Sequence, residues 1–274
     1  MRLDREIAVR IARPLGLGRR EGVPAVSILM YHSVDDSGMD PTLHPYYEIT
    51  TRPGTFRAQM EQLETEGYRV VPLRRLEEAL AAPESKDGKS VVLTFDDGYR
   101  DFLLNAHPVL KERRFPSSLF IPTALAGSRL GEREYLDWRE IRLLSEEGVG
   151  IGSHSVRHAR LREMDDEGIS REVVDSMREI EDKVGVPVDT FSFPYAFPQG
   201  DREFTERFRA LLEKAGIRRC LTTIVGRTRS GDDPFFLKRI PVNEHDDPAL
   251  FRAKLEGAYD WLRPIQYGIG RWKS

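Results

Sequence analysis

The chain has 274 residues, 39% of them hydrophobic and 32% charged, with a formal net charge of -3, the balance of a globular protein able to bury a core of its own. Acids slightly outnumber bases, which argues against nucleic acid as the main partner, and a single cysteine, Cys220, excludes an internal disulfide framework. No stretch approaches the roughly 18 apolar residues of a membrane span.

Taken in chain order, the first twenty residues, MRLDREIAVRIARPLGLGRR, carry six arginines against two acids. Their apolar positions are interrupted too often for a signal-peptide core, so export by the usual route is not expected and the protein reads as cytoplasmic. Residues 1–22 are set apart as a basic leader. Two readings stand: a frayed segment, or a short amphipathic helix in which Ile7, Val9 and Ile11 lie on an anionic bilayer, a peripheral contact at the inner membrane face.

Residues 23–274 read as one domain. VSILMYH is a strand, followed after a long polar loop by the helical pattern TFRAQMEQLETEG. YRVVPL and a short helix lead to SVVLTFDD and the helix YRDFLLNAHPVLKERR. SSLFIPTA, WREIRLLSEEG and VGIGSHS come next, then a charged helix from about 170 to 184, DTFSFPY, and the helix REFTERFRALLEKAG. IRRCLTT, where Cys220 is expected to be a buried small apolar residue, and FLKRIPV complete the strands before the helix PALFRAKLEGAYDWL. Most of these apolar runs are continuous rather than alternating, the mark of parallel strands covered on both faces. The fold class is therefore α/β, a single barrel of seven or eight β/α units.

In such barrels the loops after the strand C-termini converge on one face, where active sites lie. Several chemistry-bearing residues follow strands here: His32, the Asp96–Asp97 doublet, His154 and His158, and Pro194 with Tyr195. His154 and His158 can share a metal only if the chain coils after Ser153, because an extended strand would part them by roughly 13 Å. Two histidines and a carboxylate leave coordination positions open, the catalytic rather than the structural pattern. Adjacent carboxylates at a partly dry barrel mouth repel unless a cation or proton separates them, and side chains at a strand end diverge. One aspartate is thus read as a ligand and its neighbour as a base.

Together, TFDDG, HSVRH and FPY on successive strand ends resemble the polysaccharide deacetylases of the NodB-homology type, carbohydrate esterase family four; MYHSV and the Asp137–Trp138 pair resemble the branch of poly-N-acetylglucosamine deacetylases. The resemblance implies a distorted barrel of about seven parallel strands. It implies Asp96 as general base, and Asp97, His154 and His158 as ligands of a divalent metal, zinc before cobalt, nickel, iron or manganese. It also implies that the backbone amide of Tyr195, next to Pro194, binds the oxyanion as acetate leaves an N-acetylated sugar. Trp138 could stack on a sugar ring or belong to the core, and His32 either lines the mouth or is a satisfied core histidine.

Two departures stand out. Many members place an arginine where Ser192 stands, to orient the catalytic aspartate, and many end with a histidine-bearing strand, whereas FLKRIPV has none. The general acid is therefore open, with His245 and His32 as candidates. Competing readings are a sugar O-acetyl esterase, a non-haem iron oxygenase, which the β/α order disfavours, and a catalytically silent carbohydrate-binding barrel. The segment REMDDEGISREVVDSMREIEDK reads as a solvated helical face.

Overall fold

The computed structural model describes residues 3–17, 23–37, 44–82, 89–263 and 266. Seven strands form a closed, all-parallel barrel in sequence order: β1 (Ala25–Tyr31), β2 (Ser90–Phe95), β3 (Ser117–Ile121), β4 (Gly150–Ser153), β5 (Thr190–Ser192), β6 (Arg219–Val225) and β7 (Leu237–Pro241). Closure comes from β1, which pairs with β2 over five residues and with β7 at Leu29–Ile240. The eighth expected strand, YRVVPL, stays outside this ring. Only Arg69–Val70 pairs, on the start of β2, because β1 already occupies the rest of that edge.

Helices α1 (Pro53–Thr65), α2 (Leu76–Ala81), α3 (His107–Glu112), α4 (Trp138–Glu146), α5 (Asp166–Val184), α6 (Arg202–Ala215) and α7 (Pro248–Leu255) lie among these strands in chain order. Their starts are written in the sequence: Asp137, Asp165, Asp201 and Asp247 each accept from a backbone N–H of the following first turn.

All six residues of β2 and all five of β3 are buried, as parallel strands covered on both faces require. One cluster of alternate strand residues, Val26, Ile28, Val92, Phe120, Leu221 and Leu237, joins Leu73, Leu76 and Ala79 and fills the barrel from the strand N-terminal end. The other alternates, among them Leu93, Phe95, Leu119, Phe191 and Cys220, pack against the helices. Gly152 makes room for this interior: a Cβ there would lie 2.5 Å from the Phe120 ring and 2.7 Å from Thr190 Oγ1.

The N-terminal segment is helical, Leu3–Ile7 continuing as Ala8–Ala12, and is seated on α7 rather than frayed. Ala8 and Ala12 are buried against Val225, Leu250, Ala253 and Tyr259, while Arg13 reaches Glu256 at 2.9 Å and Arg5 reaches Asp247. No helix among the described residues is long and apolar enough to cross a membrane.

Candidate active site at the barrel mouth

Period-two alternation along β2 carries Val92 and Thr94 into the barrel and delivers Asp96, the next residue of that row, to the interior just below the mouth. Asp96 is 2% exposed. Its partner is Arg239 of β7, two residues beyond the interior Leu237, which meets the carboxylate with both arms: Nη1 to Oδ1 at 2.8 Å and Nη2 to Oδ2 at 2.7 Å. Ser192 Oγ donates to the same carboxylate at 3.1 and 3.2 Å and accepts from Arg239 Nη2 at 3.0 Å. Burial pushes the Asp96 carboxyl up, but the Arg239 guanidinium beside it outweighs this and holds the carboxyl below its ordinary range.

The arginine missing at position 192 is thus supplied from another strand, with a serine bridging the pair. FLKRIPV did hold a signal for this, since a basic residue inside an apolar strand must find a buried partner. Which partner it finds depends on barrel closure, which brings β7 round to β1 and β2.

Past Asp96 the backbone turns sharply. Asp97 (φ 71°) and Gly98 (φ 66°) are both left-handed, and so are Ser155 (φ 67°), His158 (φ 54°) and Tyr195 (φ 58°). Left-handed non-glycine residues carry strain that the surrounding packing must hold, and such residues gather at functional sites. The coil after Ser153 is a turn of this kind rather than a helical turn, and it brings the His154 and His158 rings to 4.8 Å between centroids.

Asp97, His154 and His158 each offer one ligand atom, and the three lie within 4.8 Å of one another. Both imidazole Nε2 atoms lie 3.3 Å from Asp97 Oδ1, yet that buried oxygen has no hydrogen-bond donor among the described residues. His154 Nδ1 lies 2.7 Å from the Ser192 carbonyl, which can only accept, so Nδ1 carries the proton and Nε2 offers its lone pair to the cluster. An orphaned buried carboxylate oxygen facing two imidazole nitrogens fits a divalent ion of the zinc type.

The histidine turn is held from behind by α5. Glu172, 2% exposed, accepts from the N–H groups of Val156 and Arg157 at 2.9 Å each and from Arg157 Nε at 2.8 Å. One turn further on, Ser176 Oγ meets Ser153 Oγ at 2.5 Å. The charge run 162–183, read as a solvated face, therefore hides two buried residues that fix the turn. Nothing in its spacing separates Glu172 from the acids around it.

His32 joins the mouth. Burial lowers its pKa most, opposed by the charges of Asp97 and Asp96. Pro194 is buried, whereas Tyr195 is 44% exposed, its ring 4.5 Å from that of His158 and beneath the Arg160 guanidinium, also at 4.5 Å. The Tyr195 N–H donates to no acceptor among the described residues. Tyr99 and Tyr135, which sequence reasoning passed over, pair their rings at 5.1 Å, and both phenols are raised by burial and then by the Asp97 charge. Trp138, first residue of α4, is packed partly into the main core, and His245 is an exposed loop residue whose backbone N–H donates to Asn243.

Comparison with known proteins bears directly on this arrangement. The polysaccharide deacetylase family profile matches residues 84–220, half of the chain, a span that holds Asp96, Asp97, His154, His158 and Tyr195. The chain belongs to this family. As a polysaccharide deacetylase homologue it is 24% identical over 229 residues to YxkH of Bacillus subtilis, a protein named for the same family, covering 84% of this chain and 75% of the relative. It is 27% identical over 139 residues to the poly-beta-1,6-N-acetyl-D-glucosamine N-deacetylase of Escherichia coli, a match covering 46% of this chain but only 20% of that protein. Two solved structures share the fold of this family member at a TM-score of 0.70. They are the Streptococcus pyogenes deacetylase PplD (20% identical, covering 84% of this chain and 98% of that one) and IcaB from Ammonifex degensii (22%, 86% and 97%).

Proposed function

We propose that the chain is a metal-dependent hydrolase that removes N-acetyl groups from an N-acetylglucosamine-type saccharide. The observation that carries this reading is the pairing, at one mouth, of a carboxylate locked by Arg239 with the Asp97, His154 and His158 cluster. Family membership supports the reaction class, and the Escherichia coli relative supports the sugar.

Asp97, His154 and His158 would hold the metal. A divalent ion there supplies Lewis acidity, polarising an acetamide carbonyl and making water more acidic. Asp96, ionised and aimed by Arg239 and Ser192, takes the proton from the attacking water. The Tyr195 N–H donates to the oxygen that gains charge as the carbonyl becomes tetrahedral. Asp96 then carries the proton, and a carboxyl held low by a guanidinium is a strong acid once protonated, so it returns the proton to the leaving nitrogen. This removes the need for His245, which is exposed, and leaves His32 to hydrogen-bond the substrate as a neutral imidazole.

The silent-barrel alternative rested on the missing arginine and the missing histidine of the last strand; Arg239, paired with Asp96, weakens the first of these supports and leaves the second. An O-acetyl esterase would use the same groups and is separated by its product. The test is acetate release from N-acetylglucosamine oligomers and O-acetylated sugars after chelation and again after zinc. Release that chelation abolishes and zinc restores, with a free amine as co-product, is expected. Release indifferent to chelation, or none from any sugar by a chain that binds zinc, overturns the proposal.

A further inference from the structure

The N-terminal segment, a helix over residues 3–12 and the turn over 13–17, seats Ala8 and Ala12 on the barrel with Val9 beside them, and shows its other large apolar side chains to solvent. Leu3 is 64% exposed, Ile11 49%, Leu15 69% and Leu17 45%. These are four of the nine large hydrophobic side chains that are exposed among the described residues, gathered in one 15-residue segment. Singly exposed leucines are ordinary, but four large apolar side chains gathered in one short helix and the turn that follows it mark a surface that something covers.

The charges on this segment divide by side. Arg5 and Arg13 turn to Asp247 and Glu256 of the barrel, and Asp4 bonds the Tyr259 hydroxyl, so these charges hold the helix in place. Arg10 projects outward beside Ile11, its side chain 75% exposed, and pairs with Glu6 one turn back on the same segment. Over residues 1–20 six arginines face two acids, in a chain whose net charge is -3. A second copy would bring this basic segment against itself, whereas an anionic bilayer complements both the charge and the apolar stripe.

We propose that the outer face of this helix is a peripheral docking surface for anionic lipid bilayers. Ile11, Leu15 and Leu17 enter the headgroup boundary and Arg10 meets lipid phosphates. The helix runs along α7 from Asp247, just beyond the mouth end of β7, to Glu256 near the start of β1, where Ser27 Oγ donates to the Leu255 carbonyl. Docking along that line lays the barrel on its side, with the mouth opening parallel to the membrane rather than into it.

The full chain is sedimented with phosphatidylcholine vesicles and with mixed phosphatidylcholine–phosphatidylglycerol vesicles, at low and high salt. Binding to the mixed vesicles alone, weakened by salt, is expected. The double variant Ile11→Asp, Leu15→Asp should bind them at least about 100-fold more weakly, since each change removes an apolar insertion and adds a repelled charge. Arg10→Glu should weaken binding less. All are exposed positions, so the thermal unfolding midpoint should match the parent, which separates lost docking from lost folding. Failure of the parent to bind mixed vesicles, or equal binding by the double variant, overturns the proposal. So does concentration-dependent dimerisation that the double variant abolishes without any vesicle binding by the parent. None of these results depends on the deacetylase reading, which acetate release tests separately.

Discussion

Replacing Arg239 by methionine keeps much of the stem volume and removes the charge. The guanidinium makes five hydrogen bonds, to the Thr222 carbonyl, Thr94 Oγ1, both oxygens of Asp96 and Ser192 Oγ, and it is fully buried. Its loss strands a carboxylate that is 2% exposed, and removing one partner of a buried ion pair costs about 3–5 kcal/mol, a large part of the ~5–15 kcal/mol that holds a domain together. The pH dependence should change sign. In the parent the Asp96 pKa is depressed, so its contribution is present above the unfolded value of about 3.9 and is lost as pH falls through the folded value. In the variant burial, the largest influence on this carboxyl, acts without its chief opponent and raises the pKa. The remaining contribution is then present below about pH 4 and is lost as pH rises through the new folded value. Urea unfolding of the chelated protein from about pH 4 to about pH 8 should show the variant losing stability relative to the parent as pH rises. Acetate release should fall about 100-fold or more, as for loss of a positioned general base. Arg239→Lys keeps a charge but not the two-armed fork, and should fall between. Parental midpoints at neutral pH together with parental turnover in Arg239→Met would refute the pairing as the device that aims Asp96.

Three further outcomes follow from the same geometry. Glu172→Ala leaves the Val156 and Arg157 N–H groups without their carboxylate, and zinc affinity by competition titration should fall about 10–100-fold while Glu172→Gln recovers part of it. Asp96→Asn should bind zinc as the parent does and lose turnover, whereas Asp97→Asn should lose zinc as well; parental zinc binding by both variants would undo the division of labour at the doublet. Gly152→Ala drives a methyl into the Phe120 ring and Thr190, and a destabilisation of about 1–3 kcal/mol by denaturant unfolding is expected.

Much of the site was legible because its residues sit at ends of strands that the sequence marks plainly. SVVLTF is a buried parallel strand by composition, so Asp96 and Asp97 had to emerge at the mouth, and the histidine pair after VGIGS had to emerge on the same face. The four-residue spacing demanded a turn if the rings were to meet, and the left-handed Ser155 and His158 make one. The strand YRVVPL looked no different from its neighbours, and only the direct pairing of β1 with β2 excluded it from the ring.

The order of residues along the chain sets the inventory and its local placement: the β/α order, the capped helix starts, and which side chains arrive at the mouth. These follow from periodicity and backbone sterics, which act over a few residues. Tertiary structure alone decided the partners. Arg239 lies 143 residues from Asp96 and reaches it because the barrel closes through β1. Glu172 braces the histidine turn because α5 packs behind β4, and the N-terminal segment leaves Ile11, Leu15 and Leu17 exposed because it seats on α7 through Ala8 and Ala12, with Val9 beside them. Closure and packing are properties of the whole chain, and no local pattern carries them.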